Sequence, residues 1–270
     1  LLAGLYAEGR VVFIEPAQSR DHTERMLAFL GAPIRTAVSI DERDAEDGRV
    51  AMLDEWPGAR RLEPRDLDVP GDLSSAAFLL GAAALVAGSR VRVRGAGVNP
   101  TRTGFLDALA RMGVRVEQAQ AREQAGEPVA DLECRATLLD GVTIDGELTV
   151  RAIDELPLLA ALAAHAGGET LIRDAAELRV KESDRVAATA AMLRAFGAAV
   201  EELPDGLRIA GGAPLHAGVV DSHGDHRIAM AGAVCALAID GESLIRDVDN
   251  IATSFPGFER TLVTLGADLA

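Results

Sequence analysis

The sequence predicts an α/β fold assembled from repeated units, and three observations point there. An Ala-rich helical pattern followed by Gly and a β-branched strand occurs four times. A second helix, ending in Gly and followed by another strand, also occurs four times. The two patterns alternate and recur at a spacing of about 80 residues, too long for a solenoid repeat and suited to a small α/β subdomain.

The first pattern is LLAGLYAEGRVVFIEP (1–16), AAALVAGSRVRVRG (82–95), LAAHAGGETLIRD (162–174) and CALAIDGESLIRD (235–247). The second is ERMLAFLGAPIRT (24–36), FLDALARMGVRVEQ (105–118), AAMLRAFGAAVEEL (190–203) and ERTLVTLGADLA (259–270). Gly31, Gly113, Gly197 and Gly266 close the second helices and suit the left-handed position just past a helix C-terminus. A further strand comes from segments such as ADLECRA (130–136) and GLRIAGG (206–212). Alternating elements imply parallel pairing through right-handed crossovers, with a hairpin strand added. The acidic stretch DERDAEDG (41–48) reads as a solvated turn, and GARRLEPRDLDVPGD (58–72) reads as a domain boundary. Both ends cut a repeat, so the chain reads as the C-terminal portion of a longer protein.

Composition narrows the function. Twenty-seven basic against forty-two acidic residues give a net charge of −15, which argues against a general nucleic-acid binder. A small anionic ligand needs a local cluster of cations instead. Cys134 and Cys235, the only cysteines, imply no disulfide framework and fit a reducing cytosol. The apolar runs at 76–88 and 228–239 are too short to span a bilayer, and no basic-then-apolar leader opens the chain. The expectation is a soluble cytoplasmic protein without a metal site or membrane partner.

The charged motifs fall at helix starts. GDLSSAAF (71–78), IDELPLLAAL (153–162) and GDHRIAMAG (224–232) open first helices. SRDHTERML (19–27), NPTRTGFL (99–106), VKESDRVAA (180–188) and TSFPGFERT (253–261) open second helices. Helix N-termini present unpaired N–H groups and partial positive charge, and Arg or Lys beside them makes a cleft for phosphates or carboxylates. Lys181 and Arg185, four apart, are expected to share a helix face, with Glu182 and Asp184, or a ligand, between them. Asp225, His226 and Arg227 offer a carboxylate, a group titrating near neutrality and a fork-shaped cation in succession. Asp154 either caps its helix or, with Glu155 as the first-turn acid, is left free. The equivalent placement of KESDR and DHR in successive repeats predicts that Arg185 and Arg227 approach each other in space.

RVKESDR (179–185), DHRIAM (225–230), IDELPLLA (153–160), DVPGDLSSAAF (68–78), NPTRTG (99–104), SRDHTERML (19–27) and IATSFPGF (251–258) together resemble the 5-enolpyruvylshikimate-3-phosphate synthase family. The resemblance covers essentially the whole chain, and RDHTE with IATSFP is similar to its bacterial branch with glyphosate-tolerant members. It implies the enolpyruvyl transferase fold, a two-domain inside-out α/β barrel of repeated βαβαββ units, here truncated at the N-terminus. Residues 1–66 would be the C-terminal remnant of the first domain and 67–270 the second, with the missing N-terminal half as partner. The chain alone would then lack turnover.

The implied reaction adds the 5-hydroxyl of shikimate 3-phosphate to C2 of phosphoenolpyruvate and expels phosphate, with no metal or organic cofactor. By the same resemblance Asp154 is the proton acceptor, Lys181 contacts the hydroxyl and phosphate side of shikimate 3-phosphate, and Glu182 serves proton transfer at the methylene carbon. Arg185 and Arg227 grip phosphoenolpyruvate, and Arg20 contacts the shikimate phosphate. Asp225 and His226 orient Arg227 or relay protons, while Asp184 braces Arg185. Thr253 stands where many members have Lys, and Glu177 where some have Asn, so no role passes to either. Three alternatives stay open: the transferase acting on UDP-N-acetylglucosamine, an RNA 3′-phosphate cyclase, and a non-catalytic fragment that only binds anions.

Overall fold

The computed structural model describes residues 1–15, 19–38, 49–56 and 61–269. The acidic stretch 41–48 and residues 58–60 of the expected boundary lie outside the described residues. The first unit contains β1 (Val11–Glu15), α1 (His22–Phe29), β2 (Ile34–Val38) and β3 (Arg49–Leu53), with an antiparallel sheet ordered β1-β3-β2. It has its own small core of Leu27, Ala32, Leu53 and Trp56.

From residue 73 onward one continuous core runs to Leu262. It starts with α2 (Leu73–Leu85), β4 (Arg90–Gly97), α3 (Gly104–Arg111), β5 (Glu117–Gln124) and β6 (Glu127–Arg135). Then come β7 (Thr143–Ile144), α4 (Gly146–Ala152), α5 (Leu156–His165), β8 (Glu169–Ile172), α6 (Arg185–Ala195), β9 (Ala199–Leu203) and β10 (Gly206–Ala210). The last elements are β11 (Val219–Asp221), α7 (His226–Ala236), β12 (Leu244–Arg246), α8 (Ile251–Ser254) and α9 (Phe258–Thr264).

The expected parallel pairing holds only across each first helix. β7 pairs parallel to β8 across α5, β11 pairs parallel to β12 across α7, and Gly71 bridges Ala96 in parallel across α2. The remaining ladders are antiparallel, ordered β4-β6-β5 and β8-β10-β9, because tight turns join β5 to β6 and β9 to β10. Ala125 and Gly126, at φ 52° and 84°, form the first of these turns. All four predicted helix-closing glycines have positive φ, from 83° to 102°. The strand expected after Gly266 does not form among the described residues: 267–269 join no ladder, and Ala267 and Leu269 pack on the core instead.

The helices lie inside. Every residue of α5 except His165 is buried, and α2, α5 and α7 touch one another pairwise. A helix apolar on all sides is a core helix, and Ala and Gly let the three axes approach. A Cβ on Gly81 would sit 3.2 Å from Leu158. Among the described residues no helix is long and apolar enough to cross a membrane.

Gly104 is the tightest approach near the helix mouths. A Cβ there would lie 2.5 Å from the Arg151 carbonyl carbon and 2.6 Å from the Ala152 nitrogen, so the start of α3 is pressed on the end of α4. That backbone contact fixes the loops that carry Arg102 and Asp154, each two residues away. Replacing Gly104 with Ala must move backbone, and such overpacking costs roughly 1–3 kcal/mol. Urea unfolding of Gly104→Ala should show a lowered midpoint at unchanged slope, and an unchanged midpoint would mean the contact is slack.

Candidate active site

The turn between α4 and α5 delivers Asp154, and of the two roles weighed from sequence, capping is not the one it plays. Glu155 occupies the N-cap position of α5 without a side-chain cap hydrogen bond, and Asp154 points to cations instead. Four arginines from four different segments surround the Asp154 carboxylate. Arg20, ahead of α1, pairs with Oδ2. Arg102, from the NPTRTG loop, donates to Oδ2 at 3.1 Å. Arg185, at the start of α6, lies 3.9 Å from Oδ1, and Arg227, at the start of α7, lies 3.8 Å from Oδ2. Arg227 also donates to the Asp154 backbone oxygen at 2.7 Å. Burial alone would raise the pKa of Asp154, but Arg227, Arg20 and Arg102 overcome it and hold the group at about 2.

KESDR and DHR meet as expected, through a partner different from the expected one. Arg185, whose side chain is 1% exposed, donates to both oxygens of Asp225 at 2.8 and 3.3 Å, and Asp225 is fully buried. Asp225 also accepts from the Ser183 hydroxyl at 2.9 Å and caps α7 through the Arg227 N–H at 2.9 Å. It therefore orients Arg185 directly, and Arg227 only through the backbone. Asp184 does not brace Arg185. It caps α6 through the Ala187 N–H at 3.1 Å and pairs with Arg179 at 2.8 Å. Because Asp184 starts the helix at Arg185, Lys181 lies outside α6 and cannot share its face. The Lys181 ammonium is 3.3 Å from Glu177, and it pairs with no member of the Asp154 cluster among the described residues. Glu182 is exposed and pairs with Arg185 at 2.6 Å. Half-buried His226 has its pKa lowered, by burial first and by Arg227 second, which favours the neutral imidazole.

Sequence reasoning missed Arg102, Ser74 and Asn99. Asn99 folds its own loop by accepting from the Thr101 N–H and hydroxyl at 2.9 and 2.8 Å. Its amide also donates to Asp21 at 2.7 Å and to Glu127 at 3.0 Å. His22 adds a 2.8 Å contact to Glu127, so the start of α1 is docked on this loop and on β6, which places Arg20. The available signal was an Asn-Pro followed by Arg at a helix mouth, but the partners are too distant in sequence to suggest themselves. The Thr253 hydroxyl donates to the Asn250 carbonyl at 2.7 Å.

A family model described as EPSP synthase (3-phosphoshikimate 1-carboxyvinyltransferase) matches residues 1–262. The chain belongs to the EPSP synthase family. A relative from Desulforudis audaxviator named 3-phosphoshikimate 1-carboxyvinyltransferase is 50% identical over 265 residues, which is 98% of this chain and 59% of the relative. One of the same name from Geobacter sulfurreducens is 51% identical over 262 residues, covering 97% and 58%. The solved EPSP synthase of Acinetobacter baumannii superposes with a TM-score of 0.88 at 37% identity, over 99% of this chain and 59% of that one. The enolpyruvyl transferase NikO from Streptomyces tendae gives 0.76 at 26% identity, over 99% and 58%. The chain thus spans about three fifths of the length of the family members it matches, and it shares the enolpyruvyl transferase fold.

Two outcomes follow for this EPSP synthase family chain. Asp225→Ala strands a buried guanidinium, and breaking a buried pair from one side typically costs about 3–5 kcal/mol. Calorimetric unfolding should show that loss, whereas a change within about 0.5 kcal/mol would mean Arg185 finds another partner. The second concerns acid. The carboxylate of Asp154 has an ordinary value of 3.8 and a folded value of about 2, so the unfolded chain binds protons first. Its contribution is complete above about pH 4 and fades as pH falls toward 2. Asp154→Asn should flatten stability against pH in that window, and identical slopes for variant and parent would remove Asp154 from the account.

Proposed function

We propose that the protein containing this chain transfers the carboxyvinyl group of phosphoenolpyruvate to the 5-hydroxyl of shikimate 3-phosphate, releasing phosphate, on the route to the aromatic amino acids. The observation that carries the reading is the ring of four arginines on Asp154 inside a chain of net charge −15. Both substrates are multiply anionic, and a planar guanidinium suits carboxylate and phosphate alike. The names and identities of the relatives support the same reaction.

In this reading Arg185 and Arg227 grip phosphoenolpyruvate, Arg20 meets the phosphate of shikimate 3-phosphate, and Lys181 approaches the acceptor hydroxyl. Asp154 takes the hydroxyl proton as oxygen attacks C2. Glu182 exchanges the proton that C3 gains and then loses as phosphate departs, and His226 sits beside Arg227 as a neutral hydrogen-bonding group. A carboxylate held at about 2 is a weak base while its arginines are free. Incoming phosphate and carboxylate groups draw on the fields of Arg20, Arg185 and Arg227, so that burial raises the basicity of Asp154 when a base is needed. We assign residues 1–66 to one lobe and 67–270 to the other, which the two separate cores support. The free, buried Cys134 and Cys235 are consistent with work in the cytoplasm.

Asp154→Asn in the gene product that contains this chain should lower kcat by about 10²–10⁴-fold, the usual contribution of a general base. KM for both substrates should stay within a few-fold or fall, since the arginines lose a competing anion. Phosphate release measured against each substrate checks this. Turnover within threefold of the parent would mean the proton leaves by another group.

A further inference from the structure

The four arginines around Asp154 are not equivalent, and their differences assign one of them a separate task. The Arg20 side chain is 48% exposed, and among the described residues its ion pair is with Asp154. Arg185 divides its guanidinium between Asp225 and Glu182 and stands 3.9 Å from Asp154. Arg227 is anchored chiefly on the Asp154 backbone oxygen. Arg102 is 11% exposed and held from behind. Its Nη2 donates to the Ser74 hydroxyl at 2.5 Å, and that hydroxyl donates to Glu155 Oε1 at 2.5 Å. Glu155 Oε1 also lies 3.6 Å from Arg102 and 3.7 Å from Arg227.

Glu155 is the anomaly that makes this more than packing. It heads an otherwise apolar helix, is 1% exposed, and its Oε2 has no hydrogen-bond partner among the described residues. Burying a carboxylate is costly, and an apolar side chain of the same volume is commonly more stable at such a position. The return is directional, because the polar partners of Glu155 among the described residues are Ser74, Arg102 and Arg227, with Asp154 beside it as a like charge. Burial pushes its pKa up, with Arg102 the leading opposing influence.

We propose that Arg102, fixed by Ser74 and Glu155, is the permanent tether of the Asp154 carboxylate: it stays on it through turnover, whereas Arg20 reaches it from the solvent side and Arg185 and Arg227 are held chiefly by other partners. Arg102 and Glu155 are then positioning residues that set the aim and basicity of the base. The inference rests on the carboxyvinyl-transfer reading for its kinetic consequences, but not for its electrostatic one. Asp154 is faced by Arg20 ahead of α1, Arg102 ahead of α3, Arg185 of α6, Arg227 of α7 and Glu155 of its own turn. Removing Arg102 takes away the arginine that both donates to the Asp154 carboxylate and is held from behind by Ser74 and Glu155.

The test uses the gene product that contains this chain, with Arg102→Gln, Arg102→Lys and Glu155→Gln. Carbon-detected NMR titration of the ligand-free protein reads Asp154 directly, and Arg102→Gln should raise its pKa by roughly one unit or more. In steady state the same variant should lose about 10–100-fold in kcat, the cost of a misplaced catalytic group, with KM for both substrates within about threefold. The acid limb of kcat against pH should move up, and Arg102→Lys should restore part of the rate. Glu155→Gln keeps the shape and the Ser74 contact but removes the negative charge behind Arg102, so kcat should fall by a smaller factor while the Asp154 titration, relieved of a like charge, moves down; it decides the matter if Arg102→Gln does not fold. A raised KM at unchanged kcat would make Arg102 a substrate ligand instead. Unmoved titration and rate in Glu155→Gln, or in a folded Arg102→Gln, would reduce the triad to a fold element and overturn the proposal. If the parent protein itself fails to turn over the two substrates, the functional reading falls, while the titration still decides whether Arg102 governs Asp154.

Discussion

A carboxylate set among apolar helix mouths is tenable only if cations surround it, and the architecture of this chain is arranged around supplying them to Asp154. Each of its arginines comes from a different segment, so the ion cluster exists only when α1, α3, α5, α6 and α7 all present their starts to one place. Like charges that close repel one another strongly. The buried acids Asp225 and Glu155 compensate that repulsion, Asp225 by clamping Arg185 with two hydrogen bonds and Glu155 by standing behind Arg102 and Arg227.

Packing makes the convergence possible. Helices α2, α5 and α7 form the interior, with small residues at their contacts, while the sheets lie outside them. Parallel pairing across α2, across α4 with α5, and across α7 gives the three core helices equivalent settings in successive repeats. Gly104 then locks the NPTRTG loop to the end of α4 by backbone contact, so that Arg102 and Asp154 are placed by one rigid junction. The charge pattern is consistent with this economy. The chain is acidic overall, yet four of its arginines converge on Asp154.

Composition, glycine placement and helix-start motifs were legible because each has a local cause. A left-handed residue after a helix needs Gly, an Asp ahead of a helix accepts its free N–H groups, and a core helix is apolar on every side. The repeats, the helix starts and the approach of Arg185 to Arg227 could therefore be read from the chain. Partner choice could not. Asp184 and Asp225 look alike in sequence, and only the structure shows that the first caps α6 and holds Arg179 while the second clamps Arg185. The expected shared face of Lys181 and Arg185 failed because the Asp184 cap starts the helix between them. Arg102 went unnoticed because its partners Ser74 and Asp154 lie 28 and 52 positions away. Sequence by itself determined the periodicity, the caps and the supply of charge, since these follow from backbone geometry within a few residues. Tertiary structure alone decided which charge meets which, because that depends on the packing of helices far apart in the chain and on the desolvation that only their packing creates.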